Sequence, residues 1–283
     1  MIKINEIPNN EEPRKKIMSK LEPYLGKTGP AMAPSESSFI SSLLQVYRPQ
    51  KILEVGIDAG GTTAIVLQVL EDMNMPYEMH SVDLAQKMTN GKDIGYLPKC
   101  VKENNLLITP SRSTLCGTHE FHLGKYLPQV IDKIGGDINF VILDTVHYTP
   151  GELLDFLVML PYLKDSAIVV LHDVALNQLN NKYHKPDAHA TGLLFSAVVA
   201  EEKFLNYEPT GKYPNIGAFR ISKQTYDNIE NVFLALMLTW HYLPEDDEIT
   251  IYRNFYNRYY PAKLVEIFDE TVRLNRNNIA FKK

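Results

Sequence analysis

The sequence predicts an α/β protein in which a mostly parallel, seven-stranded sheet lies between two layers of helices, followed by a helical C-terminal extension. Short apolar runs that end in a polar residue alternate with amphipathic segments, which is typical of βαβ units. The first such run, around 52–55, passes directly into a glycine-rich turn and a helix. The last two runs are joined by a tight link, which predicts an antiparallel hairpin and a last strand that opposes the others.

The predicted elements divide the chain into an N-terminal arm at 1–34, an α/β domain at 35–223 and the extension at 224–283. In the first half we predict helices at 11–25, 35–47, 64–73 and 120–134, strands at 52–55, 77–82 and 113–118, and a polar loop at 86–99. In the second half we predict strands at 140–143, 167–171, 204–207 and 216–222, helices at 152–163 and 190–202, and a loop at 177–189. Ser35, Thr62 and Thr63 are expected to cap the helices that follow them.

The composition limits the classes of protein to which this chain can belong. The chain has 283 residues, of which 45% are hydrophobic, enough for a substantial core. A net charge of −5 favours neither a nucleic-acid partner nor an anionic membrane. Two cysteines without metal-binding spacing, and no apolar leader, predict a cytoplasmic protein. We expect the aromatic residues of the extension to be packing residues rather than a nucleic-acid-binding patch. We expect the C-terminal helices to offer a surface for a homo-oligomer.

The glycine-rich turn after the first strand is the first candidate site. Gly56, Gly60 and Gly61 leave little side-chain bulk there, so backbone N–H groups can face the polar atoms of a ligand. Asp83 ends the second predicted strand about 20 residues later, where a carboxylate can accept both hydroxyls of a ribose. Turn and carboxylate together predict a nucleoside-containing cofactor. The alternative is a tight turn and a strand end that bind nothing.

The order of residues in this turn distinguishes between nucleoside cofactors. It lacks the Gly-x-Gly-x-x-Gly order of dinucleotide sites, and Asp58 would repel a pyrophosphate. Glu54-Val55-Gly56 followed by Gly60-Gly61-Thr62 instead resembles the first motif of class I S-adenosylmethionine-dependent methyltransferases, in particular bacterial small-molecule and sugar O-methyltransferases. The resemblance implies a Rossmann-like fold and S-adenosylmethionine as the cofactor, although the family most often has glycine where this chain has Asp58. The cofactor-binding residues that it implies are Glu54, Gly56, Gly60, Gly61, Thr62, Asp83, Gly117 at the end of the third strand and Asp144 at the end of the fourth.

Polar residues also end the fourth and fifth predicted strands: Asp144, then His172 and Asp173, with His147 shortly after Asp144. Because neighbouring parallel strands end at one edge of a sheet, we expect these four side chains in one crevice. Asp144 and Asp173 suit a hard divalent cation such as Mg²⁺. The pair resembles the magnesium sites of catechol-type and macrolide-sugar O-methyltransferases, whose second position is usually Asp-Asn or Asp-Asp.

Three chemical roles stay open for this second cluster. A metal at Asp144 and Asp173 would lower the pKa of an acceptor hydroxyl. Alternatively, His147 or His172 acts as a general base, with Asp173 as a further catalytic residue. The third possibility is that the cluster is structural, with Asp144 capping the helix that follows it.

The resemblance implies an S-adenosylmethionine-dependent methyltransferase that O-methylates a small hydroxylated acceptor such as a sugar or a secondary metabolite. Two alternatives come from other functional classes. One is an NAD(P)-dependent Rossmann oxidoreductase, against which the glycine order and Asp58 argue. The other is a non-catalytic protein that retains a cofactor pocket, for which a polar cluster beside the pocket would be superfluous.

Overall fold

A computed structural model describes residues 10–25, 32–107, 114–178, 187–206 and 214–277. Its seven strands form one sheet with the order β3-β2-β1-β4-β5-β7-β6. All neighbouring strands are parallel except those that pair with β7, which runs antiparallel to both β5 and β6. This confirms the predicted sheet. The strands are β1 (Lys51–Val55), β2 (Glu78–Asp83), β3 (Thr118–Leu123), β4 (Ile138–Leu143), β5 (Leu163–His172), β6 (Glu202–Leu205) and β7 (Ile216–Arg220).

Helices cover both faces of the sheet, so the protein has the three layers that the sequence predicts. One face packs against the first four helices through a core that includes Phe140, and the opposite face packs against the later helices around Val141. The helices are α1 (Glu12–Leu25), α2 (Pro34–Tyr47), α3 (Gly61–Asp72), α4 (Tyr96–Glu103), α5 (Ile131–Ile134), α6 (Gly151–Met159), α7 (Ala190–Ala197), α8 (Lys223–Asp227), α9 (Glu230–Ala235), α10 (Asp246–Tyr259) and α11 (Ala262–Arg276). Among the described residues, no helix is long and apolar enough to cross a membrane.

The two ends of the chain are part of these cores. In α1, Ile17 and Leu21 are fully buried and belong to the core on the α3 side of the sheet. In the extension, Trp240 is buried, and its Nε1 donates a hydrogen bond to the carbonyl of Leu236 at 2.8 Å. Tyr256 of α10 is fully buried and donates from its hydroxyl to the carbonyl of Leu154 in α6. The extension therefore packs directly on the helix that follows β4.

The third strand is the main error of the sequence prediction. β3 spans Thr118–Leu123 instead of 113–118, and residue 113 lies outside the described residues. The predicted helix at 120–134 is wrong too: its first part is β3, and a short 3₁₀ turn and the single-turn helix α5 follow. β3 is an edge strand whose residues are mostly polar and half-exposed, so it lacks the apolar run that identifies the inner strands.

Helix starts and loops also differ from the predictions. α2 begins at Pro34 with Ala33 as its N-cap, not Ser35, and Gly60 rather than a threonine is the N-cap of α3. The polar stretch at 86–99 contains a tight turn and the start of α4. α7 ends at Ala197, so the predicted helix at 190–202 is too long. Most of the predicted loop at 177–189 and of the link between β6 and β7 lies outside the described residues.

Candidate active site

The glycine turn allows parts of the protein to pack closely against each other. Gly56 has φ +92°, and a Cβ there would lie 1.7 Å from the backbone oxygen of Asp144 at the end of β4. Gly60 has φ +83°, and its Cβ would lie 2.4 Å from Cδ of Pro98 in α4. Both positions therefore need glycine because β4 and α4 approach the turn, whatever ligand is bound.

Asp83 fixes the shape of the turn. Its Oδ2 accepts a hydrogen bond from the backbone N–H of Ile57 at 2.9 Å, and its Oδ1 accepts one from the N–H of Ala85 at 2.8 Å. Oδ2 also accepts a hydrogen bond from the N–H of Asp58 at 3.3 Å, so it is Oδ1 that keeps lone-pair capacity for a further donor. Asp83 also lines a cavity of about 370 Å³ at the carboxyl ends of β1, β2 and β4. The carboxylate is thus in place for a ribose while it also holds the turn.

The C-terminal extension contributes to the wall of this first cavity, which the sequence did not predict. The cavity is lined by Tyr242, Glu248 and Tyr252 as well as by the turn. The hydroxyl of Tyr252 donates a hydrogen bond to Oδ1 of Asp155 at 2.8 Å. Burial, reinforced by the charges of nearby carboxylates, raises the pKa of Asp155 to about 7. Asp155, an acidic residue among the apolar residues of α6, was a sequence signal that could have identified this wall.

A second cavity of about 290 Å³ adjoins the first and shares the turn and Asp144 with it. Glu54, which is 1% exposed, lies at this cavity, and its Oε2 accepts hydrogen bonds from the hydroxyls of Ser81 and Thr63 at 2.6 and 2.8 Å. Within the described part of the chain, Oε1 of Glu54 has no hydrogen-bond partner. Burial raises the pKa of this carboxyl to about 7, with a contribution from the charges of Asp144 and Asp83. A cationic ligand group at Oε1 would satisfy the orphan oxygen.

The second cavity also contains the predicted cluster of Asp144, His147, His172 and Asp173. His172 Nδ1 lies 3.1 Å from Oδ1 of Asp144, and His147 Nε2 lies 3.2 Å from Oδ2 of Asp173. The sheet therefore brings together all four side chains, as expected from strand ends that share one edge. His147 and Asp173 have φ values of +64° and +60°, an uncommon conformation that often marks functional positions.

Glu36 and Asn215 hold the outer side of this cluster. His172 Nε2 lies 3.2 Å from Oε2 of Glu36, which belongs to α2. The side-chain amide of Asn215 donates hydrogen bonds to Oε1 of Glu36 and to Oδ1 of Asp173. Burial disfavours a charged imidazole at His172, but Asp144, Glu36 and Asp173 outweigh it and raise the pKa of His172 well above its ordinary value. Sequence reasoning missed both partners because they lie far away in the chain.

Glu152 holds His147, another residue of the cluster, through a further carboxylate contact. This fully buried residue of α6 accepts a hydrogen bond from the backbone N–H of His147 at 2.6 Å, and the same oxygen lies 3.4 Å from Nδ1 of the ring. Burial works against a charged ring, but Glu152, Asp144 and Asp173 outweigh it and raise the pKa of His147. His147 is therefore oriented from behind, with Nε2 directed towards the two aspartates.

Three of the four side chains can hold a cation together. One ligand atom from each of Asp144, His147 and Asp173 lies within 4.8 Å of the others. This set includes both predicted metal ligands and adds His147. Two carboxylates and one imidazole suit a divalent ion that accepts oxygen and nitrogen ligands, such as Mn²⁺ or Mg²⁺.

The remaining predicted residues divide into two groups. Gly61 and Thr62 line the second cavity together with Gly56 and Gly60. Gly117, in contrast, precedes β3, where its Cβ would lie 2.2 Å from the backbone oxygen of Tyr77 just before β2. The prediction that the third strand ends at Gly117 is wrong, because this glycine lies at the amino edge of the sheet. After the true end of β3, Lys125 and Tyr126 line the first cavity instead.

Comparisons with known proteins agree with this architecture. Residues 53–174 match the family whose description is a methyltransferase domain. Similar solved structures include the SAH-bound methyltransferase PaMTH1 of Podospora anserina, 10% identical, with a TM-score of 0.50 over 75% of this chain and 88% of that one. Cofactor-bound Rv0187 from MTB is 11% identical, with a TM-score of 0.50 over 74% and 90% of the two chains. The O-methyltransferase TomG of Streptomyces achromogenes, in complex with SAM, is 14% identical, with a TM-score of 0.48 over 75% and 91%.

The search of curated protein sequences found no match. The matched segment runs from β1 to just beyond β5, so it includes the glycine turn, Asp83 and the four residues of the second cluster. The match argues against the oxidoreductase alternative. Residues 53–174 match the methyltransferase-domain family, and the protein has the fold of the S-adenosylmethionine-dependent methyltransferases.

Proposed function

We propose that the protein transfers a methyl group from S-adenosylmethionine to a hydroxyl of a small acceptor, such as a sugar or a secondary metabolite. The observation that carries this proposal is the pair of adjoining cavities. One contains a ribose-compatible carboxylate, Asp83, and the other contains an orphan carboxylate oxygen, that of Glu54, beside the Asp144–His147–Asp173 cluster.

The residues fit the parts of the cofactor. Oδ1 of Asp83 has acceptor capacity for a ribose hydroxyl, and Glu54 can pair with the methionine ammonium, which would hold its carboxyl in the ionised form. The backbone of the glycine turn lines both cavities and would lie along the molecule. When bound, S-adenosylmethionine supplies a methyl group activated by its sulfonium.

The second cluster would prepare the acceptor. Asp144, His147 and Asp173 would hold a divalent cation, which lowers the pKa of a bound hydroxyl. In the metal-free alternative, His147 accepts the hydroxyl proton through Nε2, which points towards the aspartates. His172 suits the role of base less well than His147, because Asp144 and Glu36 raise its pKa well above the ordinary value and favour the charged ring.

A test of the proposal starts with the cofactor. Calorimetric titration should give binding of S-adenosylhomocysteine and none of NAD⁺, and the reverse result would overturn the proposal. Methyl transfer from labelled S-adenosylmethionine to sugars, nucleotide sugars and phenols is then measured with and without a chelator. If the cation acts, chelation stops turnover while S-adenosylhomocysteine still binds, and Mg²⁺ or Mn²⁺ restores activity. If His147 acts alone, chelation has no effect. The rate then falls as the pH decreases through the pKa of His147.

Two further expectations belong to the same proposal. We expect a cytoplasmic location, where free thiols such as those of Cys100 and Cys116 are ordinary. Tyr259 of α10 is 41% exposed and stacks on Phe255, and it offers an aromatic surface for a second copy of the chain. Measurement of the solution mass by light scattering, for the wild type and for Tyr259→Ser, tests the homo-oligomer.

A further inference from the structure

We propose that His80, Glu120 and His122 form a separate metal site, on the β2–β3 edge of the sheet, for a borderline divalent transition ion such as Zn²⁺. One ligand atom from each of the three side chains lies within 4.8 Å of the others. All three belong to β2 and β3, whereas the cluster at the second cavity follows β4 and β5. The proposal is therefore independent of the methyl-transfer chemistry.

The strand register places the three side chains on one face. His80 lies directly opposite Glu120 in the parallel pair, and His122 lies two residues further along β3. Because side chains alternate along a strand, Glu120 and His122 share a face, and His119 points to the opposite one. There His119 Nε2 lies 2.9 Å from the hydroxyl of Ser81.

The two imidazoles face each other at a distance that suits a shared ion. His80 Nδ1 lies 3.1 Å from His122 Nε2, close to the separation of about 3.3 Å between two nitrogens bound to one tetrahedral zinc. His80 Nε2 lies 2.6 Å from Oε1 of Glu78. Since a carboxylate accepts, Nε2 carries a proton and Nδ1 of the neutral ring directs its lone pair towards His122. A carboxylate behind a metal-binding histidine commonly fixes its tautomer in this way.

The third ligand is accessible and easily released. Glu120 is half-exposed and pairs with Lys133, whose side chain is also exposed, so this ion pair adds little stability. His80 and His122 are each 7% exposed, which holds their rings in place. Burial lowers the pKa of His122, so at neutral pH it is in the form that binds a metal. The open side at Glu120 leaves room for water as a fourth ligand.

Metal binding at this site has a defined proton balance. In the metal-free protein one proton lies between the facing nitrogens of His80 and His122, where it makes their hydrogen bond. Two metal–nitrogen bonds replace that hydrogen bond, and the proton moves from Nε2 to Nδ1 of His122, which binds the ion as a neutral imidazole. Because neutral rings release no net proton, the heat of zinc binding should not depend on the ionisation heat of the buffer.

The decisive experiment uses a variant that lacks the other candidate metal site, the one at the second cavity. His147→Asn/Asp173→Asn, stripped with a chelator and dialysed, is titrated with Zn²⁺ by calorimetry and with Co²⁺ by visible absorption. We expect one equivalent of each ion to bind. When His122→Gln is added to this variant, zinc binding should be abolished. Adding Glu78→Gln instead should weaken zinc binding about 10–100-fold, because it removes the carboxylate behind His80. His119→Gln, on the opposite face of β3, is the matched control and should leave the affinity unchanged.

Glu120→Gln provides a second test, because a substitution at this exposed position does not disturb the core. It should weaken zinc binding while the thermal unfolding of the metal-free protein stays the same. If the starting variant binds no stoichiometric zinc, or if His122→Gln and Glu120→Gln bind it as tightly as their parent, the proposal is wrong. The His80–His122 contact is then only a structural hydrogen bond.

Discussion

Nδ1 of His172 lies 3.1 Å from Oδ1 of Asp144, and this contact joins the ends of β4 and β5. The other ring nitrogen faces Glu36 of α2 at 3.2 Å, so the imidazole bridges the sheet and a helix. A ring between two carboxylates is stable as a cation and has no lone pair for a substrate proton. His172 thus positions Asp144 in the second cavity.

Replacing His172 should reduce stability in a pH-dependent manner. Its folded pKa is raised, so its stabilising effect is complete below about pH 6.5 and is lost as the pH rises through the folded pKa. His172→Gln should cost about 3–5 kcal/mol at about pH 6, the cost of breaking a buried ion pair, and less at about pH 10. Urea unfolding at both pH values measures this difference.

His241 serves as a control because its pKa shift has the opposite sign to that of His172. Burial and the neighbouring His189 lower its pKa, so its contribution to stability is lost as the pH falls. The cost of His241→Gln should therefore not decrease from about pH 6 to pH 10. A cost of His172→Gln that stays constant over this range would show that the ring is neutral in the folded protein.

Asp83 should affect cofactor binding through the shape of the turn as well as through the ribose. Asp83→Asn places an amide where the carboxylate accepts N–H groups from Ile57 and Ala85. We expect the affinity for S-adenosylhomocysteine to fall about 10–100-fold, on the basis of 1.5–3 kcal/mol for hydrogen bonds to a charged group. Asp72→Asn, at the end of α3, is the control for charge loss, and calorimetry that finds equal affinities for both variants would contradict the assignment.

The ionisation of Glu54 should control cofactor affinity near neutral pH. Its carboxyl has a pKa of about 7 before a cation binds, so it protonates as the pH falls and loses its attraction for the ammonium. The affinity for S-adenosylhomocysteine should fall by up to about tenfold per pH unit below that pKa. Glu54→Gln should bind more weakly and lose this dependence, as measured by calorimetry from about pH 5.5 to 8.5.

Ser81→Ala refines the test of Glu54. Ser81 donates a hydrogen bond to Oε2 and so favours the ionised carboxyl. Without this donor the pKa of Glu54 rises, and the loss of affinity should begin at a higher pH than in the wild type. If the two pH profiles coincide, another group controls the pH dependence of binding.

The glycines make a poor test of the cofactor site. If Gly60 only made room for the ligand, Gly60→Val would abolish cofactor binding while the fold persists. In the structure the added side chain would collide with Pro98 of α4, so this variant disturbs the packing of two helices. A loss of binding would not separate ligand contact from a damaged turn, and Asp83→Asn and Glu54→Gln are the better variants.

The sequence located the candidate site residues that end strands. Asp83, Asp144 and His172 each follow a buried apolar run, and the topology of a parallel sheet brings such ends to one edge. Inner strands were found for the same reason, because burial on both faces leaves a continuous apolar signal. The amphipathic α2 was identified to within one residue at its start.

Partners supplied by distant segments could not be predicted. Glu36 and Asn215 meet Asp173 and His172 only because β7 inserts beside β5 and α2 packs at its end. β3 was missed because its polar, half-exposed residues mimic a helix surface, and with it the side-chain pair of His80 and His122. Such contacts depend on register and packing, which no single stretch of sequence encodes.

Methyl transfer by a cluster variant tests the central claim most directly. His147→Asn/Asp173→Asn changes the second cavity, and both new residues tolerate the positive φ of these positions. With labelled S-adenosylmethionine and an acceptor that the wild type methylates, the account predicts a fall in turnover of at least about 100-fold, the lower range for loss of general base catalysis. Binding of S-adenosylhomocysteine should stay close to that of the wild type. Undiminished transfer by this variant would contradict the account.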